Sequence, residues 1–137
     1  MTTTNTPSTS NVGALSGVRI LDMATVLAAP LGATLCADHG ADVIKLELPD
    51  GSDALRGLQP VKDGHSLWWK VANRGKRGIT LDVRQARGRE LLLEMLPHFD
   101  VLLENFRSGT LVRWGLDLAT LHKVNPRLVV VRLTGFG

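Results

Sequence analysis

Residues 105–109, with the sequence Asn-Phe-Arg-Ser-Gly, contain the side chains best suited to bind a ligand that has both a base and phosphates. The Asn105 amide can donate and accept hydrogen bonds, the Phe106 ring can stack on a base, and Arg107 is a cation that pairs with phosphate. The same residues also fit a helix start with Phe106 in the core. Arg113 could complete the phosphate contacts or lie on a solvated helix face.

A second candidate segment, residues 24–30, follows the first predicted strand. It lacks the Gly-x-Gly-x-x-Gly pattern of dinucleotide-binding proteins, which disfavours NAD or FAD as the ligand. Ala28 and Ala29 are small enough for a ligand to approach the backbone, and the helix that follows would attract an anion at its N-terminus. The alternative interpretation is close packing of this helix on a sheet.

Basic residues are concentrated in residues 74–78, which resemble a phosphate-neutralising turn, and Arg84 and Arg87 add positive charge after it. A ligand with several phosphates would benefit from this charge, although most charged runs are solvated faces. The net charge of +3 does not choose between anionic partners, and three Trp and three Phe are few for a nucleic-acid surface. We therefore expect no nucleic-acid partner.

No residue has the pattern of a catalytic group or a metal ligand. The four histidines are scattered without metal-ligand spacing, and no serine has a nucleophile-elbow pattern. Asp22, Glu47 and Glu104 fall at predicted strand ends without a clear paired carboxylate. A single cysteine, Cys36, excludes an internal disulfide and favours a reducing, cytoplasmic location. We predict neither a catalytic residue nor a metal site in the chain.

Short apolar runs alternate with helical patterns along the chain, which predicts an α/β fold with a Rossmann-like parallel sheet and flanking helices. Ligands of such sheets bind at the carboxyl ends of the strands. The last strand has the most continuous apolar run and is predicted to be buried. The predicted strands are 18–21, 41–47, 79–82, 100–104 and 127–133, and the predicted helices are 30–39, 66–72, 87–97, 109–114 and 118–124.

The length of 137 residues suits one domain. Residues 1–14 are poor in large apolar side chains and are predicted to be a disordered tail, so that residues 15–137 form the domain. Residues 48–78 are a long excursion of the kind that is usually functional or contacts another chain. No apolar run is long enough to span a membrane, and the first ten residues do not resemble a secretory signal.

Several short motifs occur in an order and spacing that resemble the class III (family III) CoA-transferases, the group that contains the formyl-CoA and carnitine CoA-transferases. The resemblance covers nearly all of the chain after the tail. The motifs are GVRILD at 17–22, AAP at 28–30, GADVIKLE at 40–47, NRGKRGITLD at 73–82, ENFR at 104–107, NPRL at 125–128 and GFG at 135–137.

The resemblance implies an enzyme that moves coenzyme A from an acyl-CoA to a carboxylic acid through an aspartyl intermediate. Coenzyme A and its acyl thioester are then substrates, and no cofactor is bound permanently. The resemblance also implies an interlaced homodimer, of which this chain is the N-terminal part. The coenzyme A contacts carried over by matching motif are Val26, Leu27, Ala28, Leu81, Arg84, Asn105, Phe106, Arg107 and Arg113.

The nucleophilic aspartate of the family lies beyond the Gly-Phe-Gly segment, so the resemblance implies that this chain alone is an inactive fragment. Two alternatives stay open. An acyl-CoA racemase of the same superfamily shares the fold but exchanges an α-proton, and the long segment 48–78 favours the transferase over it. A fragment that binds coenzyme A without catalysis is the other alternative.

Overall fold

The computed structural model describes residues 13–135. Twelve of the fourteen residues predicted to be a disordered tail, and the last two residues of the chain, lie outside this range, so the tail stays a prediction. The elements in chain order are β1 (Arg19–Asp22), α1 (Ala28–Asp38), β2 (Asp42–Glu47), β3 (Val61–Lys62), β4 (His65–Ser66), α2 (Leu67–Ala72), β5 (Arg77–Thr80), α3 (Ala86–Met95), β6 (Val101–Glu104), α4 (Thr110–Arg113), α5 (Leu118–Val124) and β7 (Val129–Arg132).

Five strands form one sheet in the order β5-β2-β1-β6-β7, and every neighbouring pair is parallel. The predicted α/β class with a parallel sheet is therefore confirmed. Parallel neighbours require a crossover between them, and the helices supply most of these connections. Because all five strands run the same way, the loops that follow β1, β6 and β7 meet at one end of the sheet.

Alternation of side chains along each strand gives the sheet two buried faces. Leu21 and Leu102 belong to the larger core, which includes residues of α3 and α5, whereas their neighbours Ile20 and Leu103 belong to a smaller core under α1. Helix α1 buries Ala29 and Ala33 on this second face. Since alanine side chains are short, the helix lies close to the sheet, as the alternative interpretation of residues 24–30 expected.

Strand β7 is less buried than the sequence predicts. It is an edge strand of the sheet among the described residues, and Val130 packs against the larger core. Val129 and Val131 point to the opposite face, where their exposed fractions are 55% and 38%. Helix α1 contacts β1, β2 and β6 but is not found over β7. The prediction of a buried strand was wrong because the apolar run indicates a strand but not its place in the sheet.

The excursion after β2 has regular structure. A 3₁₀ turn at Ala54–Gly57 precedes the β3–β4 hairpin and α2, whose N-cap Ser66 accepts a hydrogen bond from Trp69 N at 3.3 Å. Arg56 donates two hydrogen bonds of 2.7 Å to Glu47 and stacks 3.8 Å from the centre of the Trp69 ring. These contacts fasten the excursion to the end of β2.

Strand β5 begins two residues earlier than predicted and ends at Thr80. Its first two residues, Arg77 and Gly78, are untypical of strands, and an edge position tolerates them because one side of the strand is open. Leu81 and Asp82 therefore lie in the loop beyond the strand. No helix of residues 13–135 has the length and apolar character that crossing a bilayer requires.

Candidate functional site

A cleft of about 530 Å³ opens at the carboxyl ends of β1, β6 and β7. It brings the start of α1 together with the loops that follow β6 and β7. A neighbouring hollow of about 240 Å³ shares Phe106, Arg107, Ser108 and Thr134 with it. The residues that line the larger cleft are Ala28, Asn105, Phe106, Arg107, Ser108, Leu133, Thr134 and Gly135.

The loop between β1 and α1 is held from both sides by charged side chains. Ala24 N donates to Asp22 Oδ1 at 3.0 Å, and the Ala24 carbonyl accepts from the Lys45 ammonium. Val26 N donates to Asp53 Oδ1 at 2.9 Å. The φ of Val26 is 63°, a left-handed conformation that is an outlier for a β-branched residue. The hydrogen bond that Val26 N donates to Asp53 therefore supports a strained residue two positions before Ala28, which lines the cleft.

Four buried charges lie beneath this loop. Lys76 Nζ is 2.7 Å from Asp22 Oδ2, and Lys45 Nζ is 4.0 Å from Asp22 and 3.7 Å from Asp53. Burial lowers the pKa of the Lys76 ammonium, although its pair with Asp22 opposes this shift. Asp53 Oδ2 has no hydrogen-bond partner among the described residues. Two lysines lie against two aspartates, so each buried charge has a neighbour of opposite sign.

Asn105 ties the loop after β6 to the loop after β1. Its Oδ1 accepts from Thr25 N at 2.7 Å, and its Nδ2 donates to the Thr25 carbonyl at 2.8 Å. One amide thus satisfies both backbone groups of Thr25. The residue predicted to contact a ligand also holds the two walls of the cleft together.

Phe106 contributes to both the core and the cleft. It packs against the larger core and meets the Trp114 ring edge-on, with 5.0 Å between the centres and 68° between the planes. Phe106 N donates to Glu104 Oε2 at 2.7 Å, and the other oxygen of Glu104 pairs with Arg132 at 3.2 Å. A buried carboxylate therefore fixes the loop, and both interpretations of Phe106 describe part of its surroundings.

Arg107 and Arg113 lie on the same side of the cleft but differ in their contacts. Arg113 donates to Thr110 Oγ1 at 2.9 Å. Arg107 is exposed and lines both hollows, and its guanidinium has no ion pair or side-chain hydrogen bond with residues 13–135. Arg107 is thus a cation with all its donors available to an anion.

Leu81 and Arg84 lie at the other edge of the sheet, after β5. Three strand spacings, about 14 Å, separate β5 from β6, and neither residue lines the larger cleft. Arg84 donates to Asp82 at 2.7 Å and to Asp50 at 2.5 Å. These hydrogen bonds raise the pKa of the Arg84 guanidinium, with that to Asp82 contributing most. Four of the nine predicted contacts, Ala28, Asn105, Phe106 and Arg107, therefore line the larger cleft, whereas Leu81 and Arg84 lie at the far edge of the sheet.

The basic residues 74–78 do not form an anion site. Arg74 pairs with Asp38 at 2.5 Å, Arg77 pairs with Asp42 at 2.6 Å, and Lys76 is buried against Asp22. Each cation already has a carboxylate partner, so the prediction of a phosphate-neutralising turn was wrong. The partners are 35 to 54 residues away in the sequence, which is why the local run of charge was misleading.

The sequence did not single out Lys45 and Asp53, which hold the β1–α1 loop. Lys45 is 3% exposed although it lies in the middle of a strand, and Asp53 is 5% exposed. A lysine within an otherwise apolar strand is unusual, because burying an unpaired charge is costly. The lysine in this strand was therefore a signal in the sequence that a buried charge pair exists. The residues around Asp53, in contrast, do not indicate that it accepts a hydrogen bond from Val26.

Groups suited to chemistry are scarce around the cleft. No carboxylate lines the larger cleft among the described residues, and Glu104, in the smaller hollow, is buried and paired with Arg132. In the same part of the chain, no group of three or more His, Cys, Asp and Glu side chains could hold a metal ion. The described site can bind a ligand through a ring, a cation and backbone groups.

The chain matches a family model described as CoA-transferase family III over residues 15–137. It is 48% identical over 124 residues to the succinyl-CoA–L-malate CoA-transferase beta subunit of Chloroflexus aurantiacus, with 90% of this chain and 31% of the relative covered. It is 44% identical over 125 residues to the formyl-CoA:oxalate CoA-transferase of Afipia carboxidovorans, with 90% and 30% covered.

Solved structures give the same result. A CAIB/BAIF family protein from Brucella suis superposes with a TM-score of 0.82 at 42% identity, over 92% of this chain and 34% of that one. An orthorhombic crystal structure of a Mycobacterium tuberculosis protein superposes with a TM-score of 0.84 at 35% identity, over 93% and 36%. The chain thus spans about a third of the length of the proteins that it resembles.

Proposed function

The chain belongs to CoA-transferase family III, and from this premise we propose that it supplies a coenzyme A site to an enzyme that transfers coenzyme A from an acyl-CoA to a carboxylic acid. The observation that carries the proposal is the cleft at the carboxyl ends of the strands, where Phe106 and an unpaired Arg107 lie beside Ala28. Coenzyme A has an adenine base, phosphates and a long arm that ends in a thiol.

The residue types match this ligand. Phe106 offers apolar and aromatic surface to the base, and Arg107 can donate two hydrogen bonds to a phosphate. Ala28 has only a methyl side chain, so the arm of the ligand can approach the first turn of α1. The relatives from Chloroflexus aurantiacus and Afipia carboxidovorans are named as transferases of succinyl-CoA and formyl-CoA, which supports an acyl-CoA substrate here.

The finer chemistry in the proposal is nucleophilic. An aspartate carboxylate attacks the thioester, which gives a mixed anhydride and releases the coenzyme A thiolate; the thiolate then attacks the aspartyl carbonyl and expels the donor acid, which leaves an aspartyl thioester. The acceptor carboxylate attacks this thioester to give a second anhydride and thiolate, and attack of the thiolate on the acceptor acyl group forms the new acyl-CoA and frees the aspartate. No carboxylate of the described residues is exposed and unpaired at the cleft, so we expect the nucleophilic aspartate to come from sequence outside residues 13–135. We also retain a homodimer, a cytoplasmic location and the lack of a permanently bound cofactor as proposals.

Substitution of Arg107 tests the site. In the complete protein that carries this sequence, Arg107→Ala should weaken coenzyme A binding about tenfold or more, because a hydrogen-bonded charge pair is lost. Titration calorimetry with coenzyme A measures the affinity, and an exchange assay with succinyl-CoA and a panel of carboxylic acids measures transfer.

Arg127→Ala is the matched control. It removes the same charge from an exposed residue before β7, at the opposite end of the sheet, and should leave the affinity unchanged. No coenzyme A binding by the folded complete protein would contradict the proposed function, and equal losses in the two variants would contradict this placement of the site. Neither curated relative is named as a racemase, so the racemase alternative gains no support.

A further inference from the structure

The β1–α1 loop is held in shape by side chains from other parts of the chain. Three consecutive residues of this loop, Ala24, Thr25 and Val26, each make a hydrogen bond to a different distant side chain. The Thr25 contacts come from Asn105, which lines the cleft itself. The other two come from Lys45 and Asp53, which do not line it.

Asp53 connects the loop to the excursion after β2. Its Oδ1 accepts from Val26 N at 2.9 Å and from Leu55 N at 3.0 Å, where it caps the 3₁₀ turn. Its Oδ2 faces the Lys45 ammonium at 3.7 Å, and that ammonium donates to the Ala24 carbonyl. One carboxylate therefore acts on the loop directly through Val26 and indirectly through Lys45.

Val26 is where this support has its largest effect. A valine at φ 63° is strained, because its branched Cβ crowds the backbone in the left-handed region. Without an external contact, the residue would relax to a negative φ and turn the following peptide group. That peptide group joins Val26 to Leu27, the N-cap of α1, and Leu27 is followed by Ala28, which lines the cleft.

We propose that Asp53 is a positioning residue for coenzyme A binding, which it promotes by holding Val26 in the left-handed conformation and so shaping the β1–α1 wall of the cleft. The proposal rests on the proposed function. Asp53 does not touch the ligand; it acts through Val26 N and through Lys45. A loop that already has its binding conformation before the ligand arrives binds more tightly, because less conformational entropy of the loop is lost on binding.

The test is a double-mutant cycle in the complete protein, with coenzyme A affinity from titration calorimetry as the readout. Asp53→Ala should weaken binding about tenfold, since a buried hydrogen bond to a charged group is lost. Asp53→Asn keeps an acceptor for Val26 N but loses the charge that faces Lys45, so its loss should be smaller. In a Val26→Gly background, Asp53→Ala should cost less than about threefold, because glycine adopts a positive φ without strain.

The dependence on Val26 separates positioning from a general loss of structure. Asp117→Asn is the control, since Asp117 likewise caps a short helix with its carboxylate but lies away from this loop; it should leave the affinity unchanged. Equal losses on removing Asp53 in the valine and glycine backgrounds, or no loss in either, would overturn the proposal.

Three further outcomes are also decisive. If Asp53→Ala does not fold, the same cycle is run with Asp53→Leu, which fills similar space but has no acceptor for Val26 N, and additive effects with Val26→Gly would overturn the proposal. If the unsubstituted protein gives no heat with coenzyme A, the proposed function itself fails, and the role of Asp53 in binding falls with it. If the unsubstituted protein binds coenzyme A and the Asp53 variants bind it with the same affinity, the positioning role is rejected and the proposed function is not.

Discussion

Arg84 and Arg107 carry the same charge, but their guanidinium groups have different surroundings. Arg107 has no ion pair with the described residues, whereas Arg84 is shared between Asp50 and Asp82. The pKa of the Asp82 carboxyl is lowered chiefly by its hydrogen bond with Arg84. A phosphate that approaches Arg84 must compete with two carboxylates, so Arg107 is the stronger candidate for a phosphate contact.

Removing one of these carboxylates tests whether Arg84 contacts the ligand. Asp50→Asn should strengthen coenzyme A binding by roughly two- to fivefold, because it releases one donor of Arg84 and removes a negative charge near the phosphates. The measurement is calorimetry at low and high salt, and the gain should shrink at high salt. Asp63→Asn, an exposed change of the same kind in the β3–β4 turn, should have no effect. An unchanged affinity for Asp50→Asn would remove Arg84 from the predicted contacts.

Among the elements, the helices show how closely the chain is packed around the sheet. Gly88 lies inside α3, where an added Cβ would be 2.0 Å from the carbonyl oxygen of Asp82. Gly32 lies inside α1, and an added Cβ there would meet nothing within 4 Å. The two positions are equally helical, but only Gly88 is required for the approach of the loop after β5.

Alanine substitutions at these two glycines should have opposite effects. Gly32→Ala should stabilise the protein by about 0.5–1 kcal/mol, as alanine does in open helix positions. Gly88→Ala should destabilise it by about 1–3 kcal/mol or more, because the backbone of the preceding loop must move. Chemical denaturation of both variants measures the free energy of unfolding. A stabilising Gly88→Ala would show that the helix and the loop are not in close contact.

The elements also show what the sequence could predict. Strands β1, β2 and β6 lie within one or two residues of their predictions, because apolar runs and flanking turns are local signals. The burial of β7 and the start of β5 were predicted wrongly, since both depend on the order of strands in the sheet. The strand-end rule correctly indicated that residues near Ala28 and Asn105 would meet. Asp53 could not be found in this way, because its contact with Val26 spans 27 residues.

For the molecule as a whole, two features bear on the longer relatives. The chain corresponds to about a third of their length, and the α1-side face of β7 leaves Val129 and Val131 exposed. Leu133, the first residue after β7, is 43% exposed and lines the cleft. The uncovered apolar face thus adjoins the candidate site.

Acid pH acts on the whole molecule through its carboxylates. The pKa of Asp117 is lowered mainly by the hydrogen bond that its carboxylate accepts from the backbone N–H of Thr120. The side-chain hydroxyl of Thr120 donates a second hydrogen bond to the same carboxylate. Because the folded state keeps this group ionised when the unfolded chain takes up a proton, stability falls as the pH drops below the ordinary value of 3.8. Asp117→Asn keeps a capping side chain and should reduce the loss of stability between pH 7 and about pH 3.

Urea denaturation at several pH values measures this effect, and Asp63→Asn is again the control, because it removes a carboxylate from an exposed turn. If Asp117→Asn loses as much stability in acid as the unsubstituted protein, the capping carboxylate does not contribute to acid unfolding.

The paired hydrogen bonds between Asn105 and Thr25 have a consequence for the kinetics of the cleft. They join the loops after β1 and β6 at 2.7 Å and 2.8 Å, so the two walls can separate only if both hydrogen bonds break. A ligand that entered by separating the two walls would have to break both hydrogen bonds. Association of the ligand should therefore follow a single bimolecular phase.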